Sequence, residues 1–328
     1  MKAAVQDRYG PVDVVRVDEV PTPEPTGDQV RVKVAVASVN RADLDALGPK
    51  PGFVRLFMGL RAPRSPGMGI DVAGVVDAVG PEATKFHPGE RVFADIFSFA
   101  QRYGAFAEYV VASERSFLPI PDGMSFETAA TLPHSAVLAA QGLRRRDGTT
   151  FKPGAKVLID GASGNVGPFA VQLAKAMGAE VTGVASGPKL DFVRALGADH
   201  VIDYRTVDYT RGSERYDWIA AVDSHHSVRA ARRALAPGGT YITMGGTAGT
   251  IIDAMVLGSL VSARSDRWSG LLIWWKPFHE PDVKRVLELI DTGKLAPAID
   301  RTYPLDQIVE ALRYVDEGHP RGKVLIKP

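Results

Sequence analysis

The run VLIDGASGNVGPFAVQLAKAMG at residues 157–178 constrains this chain more than any other feature. An apolar strand-like segment passes through Gly161, Gly164 and Gly167, spaced three apart, directly into an apolar-faced helical segment. Such a turn leaves the first N–H groups of the helix facing it, and side chains there would fill the space in front of them. The pattern predicts a turn that cradles a pyrophosphate on Gly161, Ser163, Gly164, Asn165, Val166 and Gly167. The spacing is G-x-x-G-x-x-G rather than G-x-G-x-x-G, so the surrounding strand and helix carry the reading. A tight turn without a ligand is the alternative.

The context is an alternation. Residues 156–160, 180–185, 200–203, 216–223 and 240–245 have the composition of strands, and 166–177, 189–196 and 228–236 that of helices. Alternating units of this kind build a doubly wound parallel sheet, so the predicted fold class is α/β. The first third differs. Val30, Val32, Val34 and Val36 alternate with Arg31, Lys33, Ala35 and Ala37, and turn-rich segments separate further short strands, which predicts a barrel-like β domain. Amphipathic helices near 283–290 and 308–315 precede strands at 299–303 and 323–327 that could rejoin this β domain. The expected division is 1–122 completed by 280–328, with 123–279 as the nucleotide-binding domain.

The second strand of the alternation ends in VASGPKL, and no acidic residue occurs from Val181 to Leu190. An NAD site usually places a carboxylate there for the ribose 2′-hydroxyl. Ser186 and Lys189 instead suit a 2′-phosphate, so the expected cofactor is NADPH; the alternative for Lys189 is a solvated first-turn lysine. The net charge of +1 gives no electrostatic case for nucleic acid or a membrane surface. No apolar segment approaches the ~18 residues of a membrane span, and residues 1–10 lack the apolar run of a secretory signal. A cytoplasmic protein is expected. The chain has no cysteine, which excludes disulfides, thiolate-bound zinc and thiol nucleophiles.

Several segments, in order, resemble the medium-chain dehydrogenase/reductase superfamily in its zinc-independent, quinone-oxidoreductase-like (zeta-crystallin-like) branch. They are SVNRAD at 38–43, GIDVAGVVDAVG at 69–80, FHPGERVF at 86–93, GAFAEYV at 104–110, GASGNVG at 161–167, LGADHVIDY at 196–204, LAPGGTYITMGG at 235–246, IDRTYPL at 299–305 and GHPRGKVLI at 318–326. The resemblance implies a GroES-like β domain built from both chain ends, a Rossmann domain between them, a cofactor in the cleft and a homodimer. It assigns Tyr204 to the 2′-phosphate alongside Ser186 and Lys189, Gly245 and Gly246 to the nicotinamide end, and Asp223 and Lys323 to the cofactor site. Asn40 corresponds to the family asparagine near the nicotinamide and substrate carbonyl, and Asp43 completes its Asn-x-x-Asp motif. The chain departs from the family at Pro188, where a basic residue is common, and at Asp45, where a tyrosine is common. It also departs at Asp223-Ser224-His225-His226, where a small glycine-containing segment is usual.

The three catalytic zinc positions of the zinc-dependent branch fall at Asn40, Ile70 and His134, which do not make a zinc site. Metal is therefore expected to be absent. Phe53, Phe57, Phe97 and Phe99 could stack on a flat substrate or pack in the core, and Trp268, Trp274 and Trp275 suit a buried strand or subunit interface. The expected activity is NADPH-dependent hydride transfer to a quinone or an α,β-unsaturated carbonyl, with Asn40 as hydrogen-bond donor to the developing oxyanion and Asp43 fixing local geometry. A zinc-type alcohol dehydrogenase and a non-catalytic NADPH-binding scaffold or sensor stand as alternatives.

Overall fold

A computed structural model describes residues 1–49, 55–97, 104–263, 265–273 and 275–328, apart from the side chains of Phe57 and Ser259. Phe53, Phe99, Trp274 and the side chain of Phe57 therefore lie outside the described residues. The chain forms two units, Met1–His134 with Ile299–Pro328, and Ser135–Ala298.

The first unit opens with β1 (Lys2–Val5) and β2 (Arg16–Glu19), paired antiparallel. The long strand β3 (Gln29–Val39) follows. Its valines at 30, 32, 34 and 36 are buried, as their alternation requires when one face meets the core. Then come α1 (Arg41–Leu47), α2 (Arg55–Met58), β4 (Asp71–Val79), β5 (Arg91–Asp95), β6 (Tyr109–Ser113) and β7 (Leu118–Pro119). Helix α3 (Phe126–Thr131) starts where Ser125 Oγ accepts from the Thr128 N–H at 3.1 Å. It packs on β3 and β4, so it belongs to this unit although it lies beyond residue 122.

The second unit contains α4 (Ser135–Gly142), β8 (Lys156–Asp160), α5 (Gly167–Ala176), β9 (Glu180–Ala185), α6 (Leu190–Ala195) and β10 (His200–Asp203). It continues through β11 (Tyr216–Ala221), α7 (Val228–Arg233), β12 (Leu235–Thr243), α8 (Ala248–Ser262), β13 (Trp268–Leu271) and α9 (Glu280–Asp291). The six strands pair in the order β10-β9-β8-β11-β12-β13, all parallel. Helix α9 packs on α4, where Arg144 Nη2 meets both Asp282 oxygens at 2.7 and 2.8 Å, which places it here rather than beyond a boundary at 280.

The chain then returns to the first unit through β14 (Ile299–Pro304), α10 (Ile308–Asp316) and β15 (Lys323–Lys327). The seven-stranded sheet runs β14-β15-β3-β4-β5-β7, with β6 also on β3. Strand β15 lies antiparallel to β3, with Leu325 opposite Ser38 and Val324 opposite Val39.

Candidate functional site

The strand order of the second unit lines up most of the residues expected to hold a dinucleotide. Along the C-terminal edge stand Tyr204 after β10, Ser186 and Lys189 after β9, Gly161–Gly167 after β8, Asp223 after β11, and Gly245 and Gly246 after β12. Five neighbouring strands at ~4.8 Å spacing make this a row about 19 Å long. The chain reverses direction across the sheet between β8 and β11, where open parallel sheets form a ligand crevice. Helix α5 starts at this point with Pro168 in its first turn and no side-chain cap on its N-terminus.

The three turn glycines have different reasons to be glycine. Gly161 has φ 86°, in the left-handed region. A Cβ on Gly167 would lie 2.2 Å from the Gly161 carbonyl oxygen. Those two are demanded by the fold. A Cβ on Gly164 would meet nothing nearer than the same oxygen at 4.0 Å. The open space beside Gly164 is the place a pyrophosphate needs, so this turn fits the group. Gly245 and Gly246 are fold-driven, since a Cβ would approach the carbonyl oxygens of Val222 and Ser224 at 2.6 and 2.3 Å.

The neighbouring strand brings charge that the local sequence around Ser186 does not show. Asp203 Oδ2 would lie 2.7 Å from a Cβ on Gly187, and Asp203 Oδ1 accepts from the Arg205 N–H at 3.0 Å. The Arg205 guanidinium lies over the Tyr204 ring, 5.9 Å from its centroid. Behind the turn, Asp160 is buried at the end of β8 and accepts from the Tyr209 hydroxyl at 3.2 Å. Burial pushes its carboxyl up to about 7, the Tyr209 bond opposing and the Asp223 charge adding. His225 pairs with Asp223 at 3.5 Å, and His226 sits edge-on to Tyr209.

In the first unit a buried polar cluster gathers where β3 ends and α1 begins. The Asn40 N–H donates to Asp43 Oδ2 at 2.7 Å, anchoring the first turn of α1. Asp71 accepts from Ser38 Oγ at 2.9 Å, Asn40 Nδ2 at 2.9 Å and the His134 N–H at 3.0 Å. Lys323 Nζ donates to Asn40 Oδ1 at 2.7 Å and approaches Asp71 Oδ2 at 3.4 Å. His134 Nδ1 lies 3.1 Å from Asp95 Oδ2. Burial raises the Asp71 carboxyl and lowers the Lys323 ammonium, each charge opposing the shift of the other. The four donors around Asp71 favour its carboxylate form against that burial. Burial pulls the His134 imidazole down, but the Asp95 hydrogen bond and the charges of Asp95 and Asp71 outweigh it and raise it overall.

This cluster gives the surroundings of two residues expected at the site. Asn40 is 1% exposed, and its amide N–H groups face Asp71 Oδ2 and the Ser38 carbonyl. The amide cannot be turned over, because Lys323 offers only donors and Asp71 only acceptors. Asn40 thus has internal partners for both ends of its amide. Lys323 is 0% exposed because β15 runs between β14 and β3. Its ammonium meets Asn40 and Asp71. Asp43 lines a cavity of about 280 Å³ with Ala42, Ala46, Met58, Ile70 and Ile96, and Phe97 reaches the same wall. Burial pushes the Asp43 carboxyl up to about 7, with the Asn40 N–H opposing and the Asp71 charge adding.

Comparison with known proteins places this geometry. Residues 26–122 match the alcohol dehydrogenase GroES-like domain and 196–326 the zinc-binding dehydrogenase model. The mouse protein NAD(P)H oxidoreductase RTN4IP1, mitochondrial, is 32% identical over 99% of this chain and 89% of its own. The chain belongs to the quinone-oxidoreductase-like branch of the medium-chain dehydrogenase/reductase superfamily. Arabidopsis thaliana NADPH-dependent alkenal/one oxidoreductase, chloroplastic, is 29% identical over the whole chain and 80% of its own length. The quinone oxidoreductase structure from Coxiella burnetii superposes with TM-score 0.85 at 28% identity, covering 100% of this chain and 99% of that one.

Membership of this superfamily makes the chain an oxidoreductase with a nicotinamide cofactor. At the superfamily's zinc positions, Asn40 Oδ1 faces the Lys323 ammonium and His134 Nδ1 faces Asp95, while Ile70 lines the cavity. Among the described residues no cluster of three or more His, Cys, Asp or Glu could hold a metal ion. No helix among them is long and apolar enough to cross a membrane. Asp71, Asp95 and Arg205 are the residues of interest that sequence reasoning missed. Asp71 sits inside GIDVAGVVDAVG, at the start of a strand that also carries Asp77, so its polarity alone did not single it out.

Proposed function

We propose that the protein is an NADPH-dependent reductase of quinones or α,β-unsaturated carbonyls that works without zinc. The observation that carries this reading is the open space at Gly164 beside the uncapped start of α5. When bound, NADPH would supply a hydride to the conjugated substrate. The turn from Gly161 through Ser163, Asn165 and Val166 to Gly167 holds the pyrophosphate. Ser186, Lys189, Tyr204 and Arg205 hold the 2′-phosphate, their two cations outweighing Asp203. Asp223, Gly245 and Gly246 border the other end of the row.

The apolar cavity wall excludes water from the substrate. Asp43 holds a proton on that wall near neutral pH, where the reduced substrate must gain one. Asn40, Asp71 and Lys323 act through Asp43 by fixing the start of α1, so they are positioning residues. A substrate already conjugated needs no metal to accept hydride, in keeping with a chain that has no cysteine.

The exposed face of α8, formed by Ile252, Met255, Val256 and Leu260, supports a homodimer. Strand β13 beside it ends the sheet. Purified protein should oxidise NADPH with a quinone or enone panel and bind NADPH more tightly than NADH in a fluorescence titration. Absence of turnover across the panel would overturn the reductase reading, and tighter NADH binding would overturn the 2′-phosphate assignment.

A further inference from the structure

We infer that Asp160 is a proton site coupled to the cofactor: a dinucleotide seated on the turn at 161–167 binds together with a proton on this carboxyl, so affinity falls as pH rises. Asp160 is the last residue of β8 and is joined directly to Gly161, the first residue of that turn. It pairs with Ala221 of β11 on one side and Val184 of β9 on the other, both apolar. Residues paired across parallel strands point to the same sheet face, so these two flank its side chain. The residue is 9% exposed, and its carboxyl accepts from the neutral Tyr209 hydroxyl at 3.2 Å.

The groups around it supply no spare positive charge. Asp208, beside Tyr209, is engaged by Thr210 and Arg211. After β11 come Asp223 and His225, paired at 3.5 Å, and His226, edge-on to Tyr209. Strand β12 brings Tyr241, whose hydroxyl meets Ser224 Oγ at 2.8 Å, and α8 brings Asp253, which accepts the Val228 N–H at 2.6 Å. Among the described residues the cation acting on Asp160 is His225, already matched by Asp223. Burial therefore keeps the proton on Asp160 up to about 7. Once ionised, the carboxylate stands behind a turn that has to hold the negative charges of a pyrophosphate. Their repulsion favours the protonated form when the turn is filled. The coupling is reciprocal, so the bound dinucleotide holds the proton to higher pH than the empty turn does. Binding then takes up a proton between those two values, and affinity is lost as pH rises across that window.

This inference rests on the cofactor reading of the turn, and isothermal titration calorimetry separates the two. NADH and NADPH are titrated into the wild type near pH 7.5 in HEPES and in Tris, whose differing ionisation heats count the protons taken up. Uptake of about half a proton per dinucleotide is expected, with a Kd for NADH that rises about fivefold from pH 6.5 to 8.5. Asp160→Asn keeps an acceptor for Tyr209 and removes the charge. It should abolish the uptake and flatten the profile to within about twofold. His225→Gln and His226→Gln should keep both. Binding without uptake in the wild type overturns the inference and leaves the turn in the cofactor site. Uptake that persists in Asp160→Asn assigns the proton elsewhere and also overturns it. If Asp160→Asn does not fold, the histidine variants decide, and loss of uptake in either overturns the role of Asp160. If neither dinucleotide binds at any pH, the cofactor reading of the turn fails and the inference falls with it.

Discussion

Lys323 and Asp71 meet across 252 residues of sequence, and each is tolerable inside the protein only because the other is there. Asp160 has no such partner, and its placement sets a pH dependence. Its carboxyl titrates near 7 in the folded chain against 3.8 in the unfolded one. Between those values the unfolded chain releases the proton first and the native state retains it, so the stability contribution falls as pH rises. Asp160→Asn keeps an acceptor for Tyr209 and removes the charge. Relative to the wild type, it should gain on the order of 2–3 kcal/mol of stability between about pH 5 and about pH 8. Denaturant midpoints at the two pH values measure this; an equal offset at both would show that Asp160 is not protonated in the folded chain. At this scale the sequence was legible for glycines, whose spacing is local. It was silent on Asp71 and Asp95, lone carboxylates whose partners arrive from other strands. The orientation of the Asn40 amide was hidden for the same reason, since Lys323 fixes it from 283 residues away.

Among the elements, the turn between β8 and α5 separates a fold requirement from a ligand requirement within four residues. Gly167→Ala would drive a methyl against the Gly161 carbonyl and should lower the melting temperature sharply or prevent folding. Gly164→Val places its side chain in open space, so the melting temperature should stay within a few degrees while NADPH affinity drops about 10-fold or more. Thermal unfolding together with fluorescence titration of both variants tells these apart, and retained affinity in Gly164→Val would remove the turn from the cofactor site. Strands β8, β9, β10 and β15 were readable residue by residue because each is a short apolar run between breakers. Helix α8 was not read at all. Its sequence AGTIIDAMVLGSLVS is apolar around most of its circumference and carries no 3.6-residue stripe to reveal it. Helix α7 also ends earlier than its sequence suggests, because Leu235 already pairs with Tyr216 as part of β12.

At the scale of the whole molecule, the apolar face of α8 departs from a surface made for water. Ile252, Val256 and Leu260 follow one another at four-residue steps with Met255 three after Ile252, and Ile273 beyond β13 is 70% exposed. If a second copy covers this face, Val256→Glu with Leu260→Glu should shift the sedimentation coefficient from dimer to monomer while NADPH binding persists. A wild-type chain that sediments as a monomer would remove the dimer. The division of the chain was legible in outline, because a β-rich start, an alternating centre and a returning end differ in periodicity. Its boundaries were not, since α3 and α9 are assigned by what they pack on rather than by their own sequences.

The strand that seats Lys323 also dictates an order of events during synthesis. Residues 135–298 can be complete while the sheet that begins with β3 still lacks β14 and β15. At ordinary translation speeds, the 252 residues between Asp71 and Lys323 take roughly 10–50 s to emerge from the ribosome. Through that interval the nascent chain holds an open β3 edge and a carboxylate without its cation. The dinucleotide-binding unit is thus free to form first, and the amino-terminal unit closes last, when the final strand delivers a backbone edge and a neutralising charge together.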